Sequence, residues 1–290
     1  MRGAHVALSG PRDQIRRMHI ARTLPDLRAA ADALRASHGA LGFVPTMGAL
    51  HDGHRALVRA AVTSGAAAVA SIFVNPLQFA PTEDLSRYPR DEAGDLAALK
   101  ASGCALVWMP DVATMYPEGD ATTITVSGPS DNWEGAARPG HFLGVATVCA
   151  KLFGQVRPDR AYFGEKDWQQ LQVIRRMVAD LHLSLDIIGV PTVREADGLA
   201  MSSRNRFLSA SGRDLAPLLH RTLVGAKHAL PQTGALENAR RTLTDAGFQV
   251  DYFDLVDGLT LSRIPHPIEG ARLIAAARVG AVRLLDNIAA

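Results

Sequence analysis

Val44-Pro45-Thr46-Met47-Gly48-Ala49-Leu50-His51-Asp52-Gly53-His54 runs from an apolar segment through a glycine-bearing turn into a helix start. Leu41-Gly42-Phe43-Val44 reads as a short buried strand, and residues 53–64 carry a helical pattern. A strand, a tight turn and a helix N-terminus in that order bring unpaired backbone N–H groups and a positive dipole end to one point, where phosphate oxygens are held. His51 and His54, three apart, put two imidazoles at the same helix end, where each can donate to phosphate and stabilise developing charge. The same spacing is compatible with an exposed helix cap or half a zinc site, but zinc needs further ligands and the neighbouring sequence supplies none. Neither a Walker A loop nor a Gly-x-Gly-x-x-Gly fingerprint is present here.

Working outward, residues 27–38 form an amphipathic helix pattern behind Pro25 and Asp26, which suit a first turn. Residues 67–74 read as a second buried strand, 91–102 as a helix and 105–109 as a third strand. Such alternation implies a parallel sheet with crossover helices. Helices over 141–156 and 167–181 bracket a strand at 160–164, and 185–190 closes the sheet. Beyond Pro191 the pattern changes to a loop, helices at 211–229 and 235–246, and β-like segments at 249–256, 272–279 and 281–285. The expected fold is α/β: a Rossmann-like doubly wound parallel sheet over 18–191 with a smaller C-terminal α+β lid domain over 192–290. Met18-His19-Ile20-Ala21-Arg22-Thr23 reads as a second start, so 1–17 is expected to be a disordered extension or the product of a start assigned too early.

Composition narrows the partners. The chain has 290 residues, 47% hydrophobic and 21% charged, enough for one large domain or two unequal ones. Its 31 basic against 29 acidic residues give a net charge of +2, and hence no reason to expect nucleic acid or an anionic membrane as partner. The charge-free run between Arg59 and Glu83 is broken by Thr63, Ser64, Gly65, Ser71, Asn75, Pro76 and Gln78, which suits a buried strand better than a membrane span. Cys104 and Cys149 sit in apolar sequence, as expected of reduced, buried thiols in a cytoplasmic protein.

Four other stretches hold chemistry-bearing residues. Asn75-Pro76-Leu77-Gln78-Phe79 follows the second strand, so it either presents polar groups at the carboxyl end of the sheet or is a simple turn. Gly164-Glu165-Lys166-Asp167 joins a strand to a helix. Asp167 suits an N-cap, and the Lys166 ammonium suits an α-phosphate gaining charge. Arg138 and His141 flank a Pro-Gly turn and read equally as an anion site or a surface salt bridge. Asp91, Glu92 and Asp95 are acidic at a helix start, a position the dipole favours. Mg²⁺ bound alongside phosphate takes one or two carboxylates, and Asp95 is the candidate ligand. On composition alone, Met201-Ser202-Ser203-Arg204 is a surface loop.

His51-Asp52-Gly53-His54 resembles the HxGH element of the nucleotidyltransferase superfamily that includes class I aminoacyl-tRNA synthetases. The wider wording from Pro45 to His54 resembles the pantoate–β-alanine ligase (pantothenate synthetase) family. The likeness continues through Ser71-Ile72-Phe73-Val74-Asn75-Pro76-Leu77-Gln78-Phe79, Tyr88-Pro89-Arg90, Arg138-Pro139-Gly140-His141-Phe142, Phe163-Gly164-Glu165-Lys166-Asp167-Trp168-Gln169-Gln170 and Met201-Ser202-Ser203-Arg204-Asn205. Met201 to Arg204 is similar to the KMSKS element, with Ala200 and Ser203 standing where that element has lysines.

The resemblance implies an ATP- and Mg²⁺-dependent ligase of pantothenate biosynthesis, a cytoplasmic homodimer that condenses pantoate and β-alanine through a pantoyl adenylate. It implies phosphate-charge stabilisation by His51, His54, Lys166, Ser202, Ser203 and Arg204. Pro45, Thr46, Met47, Gly48, Gly53, Gly164, Asp167, Val193 and Met201 would bind ATP, and Gln78, Gln170, Asn75, Arg138 and His141 the substrate. A nucleotidyltransferase that stops at the adenylate, or a non-catalytic nucleotide sensor, would share the His51–His54 element.

Overall fold

The computed structural model describes residues 18–79, 85, 88–230 and 232–290; the extension expected over 1–17 lies outside them. The first half alternates strand and helix: β1 (His19–Ala21), α1 (Leu24–His38), β2 (Leu41–Thr46), α2 (Asp52–Thr63), β3 (Ala67–Ile72), α3 (Glu92–Ala101) and β4 (Leu106–Trp108). After the short helices α4 (Val112–Met115) and α5 (Glu134–Ala137) come α6 (His141–Val156), β5 (Arg160–Gly164), α7 (Trp168–Asp180) and β6 (Asp186–Val190). The six strands are all parallel, in the order β1-β4-β3-β2-β5-β6.

This sheet is covered on both faces, as its near-continuous apolar strands require. Leu41 and Phe43, Ala67 and Val69, Leu106 and Trp108, and Ala161 and Phe163 point into a core shared with α1, α6 and α7. The alternate residues Val44, Ala68, Ala70, Val107 and Tyr162 point the other way, onto Leu57 and Val58 of α2 and Leu99 of α3. A strand period of two thus feeds two cores from one sheet. The doubly wound class follows from the sequence, but the edge strand β1 does not. The segment read as a second start pairs in parallel with β4, His19 opposite Leu106.

The C-terminal domain packs α8 (Ala210–Leu215), α9 (Leu218–Ala229) and α10 (Ala235–Asp245) on an antiparallel sheet of β7 (Gln249–Val256), β8 (Arg272–Val279) and β9 (Val282–Ala289). The single helix expected over 211–229 is two, broken at Ala216-Pro217, because proline has no N–H to continue the ladder. The last strand runs on to Ala289, beyond its expected end. The sheet's other face meets the large domain, where Ile274, Val256 and Leu261 pack with Trp133 and Trp168.

Candidate active site

Strand order reverses between β2 and β5, the adjacent strands from which the chain winds in opposite directions. Ligands of open α/β sheets bind outside the carboxyl ends of strands at such a switch point. A cavity of about 250 Å³ opens there, walled by the end of β2, the start of α2, the turn after β5 and the C-terminal domain. Pro45, Met47, His51, Gly53, His54, Gln78, Arg138, His141, Gly164, Lys166, Asp167, Gln170, Val193, Met201, Ser202, Ser203 and Arg204 all line it. Thr46, Gly48, Asn75 and Asp95 do not; they hold those residues from behind.

The α2 start is built from its two histidines. Gly53 N–H donates to His51 Nδ1 at 3.1 Å, and His51 N–H donates to His54 Nδ1 at 3.3 Å. With both Nδ1 atoms accepting, the remaining ring hydrogen of each neutral imidazole sits on Nε2. Burial, reinforced by Lys166, lowers the His51 pKa to about 4. Burial and the neighbouring His51 ring bring His54 to about 3. Both rings are therefore neutral N–H donors near pH 7.

The turn before them is left-handed at two consecutive residues, Gly48 (φ 82°) and Ala49 (φ 52°). A Cβ on Gly48 would lie 2.8 Å from Asp95 Oδ2, so glycine answers to both the backbone and the space. Asp95, 5% exposed, accepts the N–H groups of Ala49 at 2.9 Å and Leu50 at 2.8 Å. Asp95, expected as a magnesium ligand, accepts one bond from this turn on each oxygen and does not line the cavity. Thr46, expected to touch ATP, instead donates to the Ser71 carbonyl at 2.6 Å and accepts from Gly48 N–H at 3.3 Å. Among the described residues no cluster of three His, Cys, Asp or Glu side chains is placed to cage a metal.

Gln78 reaches the cavity from a 3₁₀ turn, Pro76–Gln78, that is wedged against α6. A Cβ on Gly144 would fall 2.4 Å from the Leu77 carbonyl oxygen and 2.6 Å from Gln78 N. Asn75, 1% exposed, donates to Gln78 Oε1 at 3.1 Å and Gly144 O at 3.0 Å, and accepts from Tyr116 Oη at 2.7 Å. Asn75 thus orients Gln78 instead of lining the substrate cavity. His141 Nδ1 donates to the Gln78 carbonyl at 3.0 Å, leaving Nε2 to accept from Arg138 at 3.0 Å.

Across the cavity, Lys166 Nζ stands 3.4 Å from Asp167 Oδ1. Burial pushes the Asp167 carboxyl up, but Lys166 and Arg204 outweigh it and hold the group below the usual range. Ser202 accepts from Arg204 N–H at 3.3 Å, and the Ser203 side chain hydrogen-bonds Tyr88. Lys166 and Arg204 therefore share the cavity lining with the two histidines as cations near one acidic side chain, a set suited to a polyanion and its ribose.

Sequence reasoning missed the wall supplied by the C-terminal domain: Tyr252, Leu261, Ile274, Leu285, Asp286 and Asn287. Asp286, 4% exposed, is held by Arg194 at 2.6 and 2.9 Å. Asp286-Asn287 inside an apolar strand was the available signal, since buried polar residues in a strand demand partners.

Fold and site together define an α/β nucleotide-site protein whose cavity is closed by a C-terminal α+β domain. The family model for pantoate-beta-alanine ligase matches residues 19–289. The pantothenate synthetase of Granulibacter bethesdensis is 61% identical over 277 residues, covering 93% of this chain and 96% of that one. That of Acidiphilium cryptum is 58% identical, covering 94% and 100%. The crystal structure of pantothenate synthetase from Thermus thermophilus superposes with a TM-score of 0.88 at 49% identity, covering 94% of this chain and 99% of that one. The pantoate-beta-alanine ligase of Francisella tularensis, crystallised with beta-gamma ATP and beta-alanine, gives 0.81 at 31% identity, covering 94% and 98%. The chain belongs to the pantoate–β-alanine ligase family.

Proposed function

We propose that this ligase works in two half-reactions within the one cavity. A pantoate carboxylate oxygen attacks the α-phosphorus of MgATP, the bond to the β-phosphate oxygen breaks, and pyrophosphate leaves. The β-alanine nitrogen then attacks the acyl carbon of pantoyl adenylate, the acyl C–O bond breaks, and AMP leaves as pantothenate forms. The observation that carries this reading is the pair of neutral imidazoles of His51 and His54, their Nδ1 atoms taken up by backbone N–H groups, lining one cavity with Lys166, Ser202, Ser203, Arg204, Gln78 and Gln170.

The protein's part is positioning and electrostatics. Neutral imidazoles, a lysine and an arginine meet the phosphate charge. Gln78 and Gln170 hold the acid through neutral amides, which leave its carboxylate free to attack. Pro45, Met47, Gly53, Gly164, Asp167, Val193 and Met201 border the nucleotide, Asp167 toward the ribose, with Arg138 and His141 supporting Gln78. Mg²⁺ comes with the triphosphate, whose oxygens are its natural ligands. The Francisella relative's ATP and β-alanine complex supports these substrates. Among the described residues no helix is long and apolar enough to cross a membrane. A cytoplasmic homodimer is inferred from the family resemblance.

Pantoate labelled with ¹⁸O in its carboxylate tests the route. Attack at the α-phosphorus transfers one label to AMP, and AMP forms in step with pantothenate. Label in inorganic phosphate, with ADP as product, would mean an acyl phosphate and end the adenylate reading. Pyrophosphate released over many turnovers equally fast without β-alanine, with pantoyl adenylate in place of AMP as the other product, would make the protein a nucleotidyltransferase that stops at the adenylate.

A further inference from the structure

Lys166 lies in a 3₁₀ turn, Glu165–Asp167, that receives no side-chain cap from its own segment. Its support comes from the other domain. Asn287 of β9, 4% exposed, donates through Nδ2 to the carbonyls of Glu165 at 2.9 Å and Lys166 at 2.8 Å. Its Oδ1 accepts from Arg272 Nη1 at 2.6 Å, so both amide protons and the acceptor are committed and the amide cannot rotate without losing all three bonds. Arg272 goes on to Glu165 Oε2 at 3.0 Å, and its guanidinium lies 3.4 Å from the Trp168 ring centre. One buried amide thus ties the two peptide units that flank Lys166 to the C-terminal sheet.

We propose that Asn287 is the positioning residue for Lys166, and that through it presentation of the ammonium to the cavity depends on docking of the C-terminal domain. Undocking removes two acceptors' partners and frees the turn, so phosphate charge is neutralised only while the cavity is walled on all sides. Water would then have little access to any adenylate formed. The proposal rests on reading Lys166 as a phosphate ligand.

The test is steady-state AMP formation, with thermal unfolding in parallel, on Asn287→Ala, Lys166→Ala and the double variant. Arg240→Met is the stability control, because Arg240 binds the Phe253 carbonyl and Asp254 within the C-terminal domain and lies away from Lys166. Asn287→Ala is expected to lower kcat about 10–100-fold while KM for ATP and pantoate moves less than about threefold. In the Lys166→Ala background the same change should cost less than about twofold, the mark of two residues acting as one unit. Arg240→Met should lower the melting temperature and leave kcat within about twofold. Asn287→Asp keeps the shape and the acceptor for Arg272 but lacks the N–H donors. It should lose rate as the alanine variant does, and it carries the comparison if that variant does not fold. Losses that multiply in the double variant, or a normal rate in Asn287→Asp, overturn the proposal. A wild-type rate in Lys166→Ala overturns the phosphate reading of Lys166 and the proposal with it, whereas a slow Lys166→Ala beside a normal Asn287→Ala overturns the proposal alone.

Discussion

The main-chain N–H of His51 donates to Nδ1 of His54 at 3.3 Å, and the two ring centres are 4.2 Å apart. Each ring caps the helix start through the nitrogen that a proton would otherwise occupy. Protonation would break the cap as well as charge a buried ring, consistent with pKa values of about 4 for His51 and about 3 for His54. Activity is therefore expected to show no acid limb from these imidazoles near pH 6.5, and their ring C–H NMR shifts should stay flat between about pH 5.5 and 8. For stability, the folded pKa values lie below the unfolded 6.5, so the unfolded chain takes up protons first. Stability falls as pH drops through 6.5 and continues to fall until about 4 for His51 and about 3 for His54. A step near pH 6.5 in either ring's NMR titration would refute the tautomer and charge assignment.

Gly53→Ala should be a functional lesion with little structural cost. A Cβ at position 53 would lie 2.7 Å from His51 Cε1 and 2.8 Å from Nδ1. The ring can swing aside, giving up its cap on the Gly53 N–H at a cost of about 1 kcal/mol, which the better helix propensity of alanine offsets by up to about 1 kcal/mol. The fold should survive with stability changed by no more than about 1 kcal/mol, while kcat falls by about 100-fold, the cost of moving a reacting-site group by an ångström. Rate and melting temperature measured on the same sample decide it; unchanged turnover would remove His51 from the phosphate contacts.

Gly144→Ala addresses the acid rather than the nucleotide. Its new methyl would need the space held by Leu77 O, 2.4 Å away, and neither helix backbone nor turn backbone yields cheaply. The variant is expected to lose about 1–3 kcal/mol of stability through overpacking. Because the displaced turn carries Gln78, KM for pantoate should rise several-fold more than KM for ATP. Equal changes in the two would mean that Gln78 does not distinguish the substrates.

Local features were the legible ones. The strand–turn–helix at Val44 to His54, α6 and β5 follow from apolar period and turn residues, and their observed bounds agree with the expected ones within two residues. What escaped depends on partners far along the chain. β1 is three residues long, too short for a period, and becomes a strand by pairing with β4. Asp95 looks like any acidic helix start until the turn 45 residues earlier donates two N–H groups to it. Asp286 and Asn287 read as the end of a strand. They continue it because Arg194 and Arg272 satisfy them inside the protein.

The two domains also meet through a buried ion pair, Glu134 with Arg283 at 2.6 Å, both largely shielded from solvent. Tyr252 donates to Glu134 at 3.0 Å, and burial, with the Glu134 charge beside it, pushes that phenol well above its ordinary pKa. Such a pair adds little net stability over an apolar one of the same shape, since desolvating both charges cancels much of their attraction. Removing one partner alone strands the other. Arg283→Met should therefore cost about 3–5 kcal/mol, leaving the Glu134 carboxylate with the Tyr252 hydroxyl and no cation, and freeing Asp251, the more exposed second partner of Arg283 at 2.5 Å. Adding Glu134→Gln removes the stranded charge, keeps an acceptor for Tyr252, and should recover more than half of that loss. Urea unfolding followed by tryptophan fluorescence reads the seam, because Trp133 and Trp168 pack against its apolar cluster. A double variant no more stable than Arg283→Met would mean that the arginine acts through its second carboxylate, Asp251, or through packing on Tyr252, and not through Glu134.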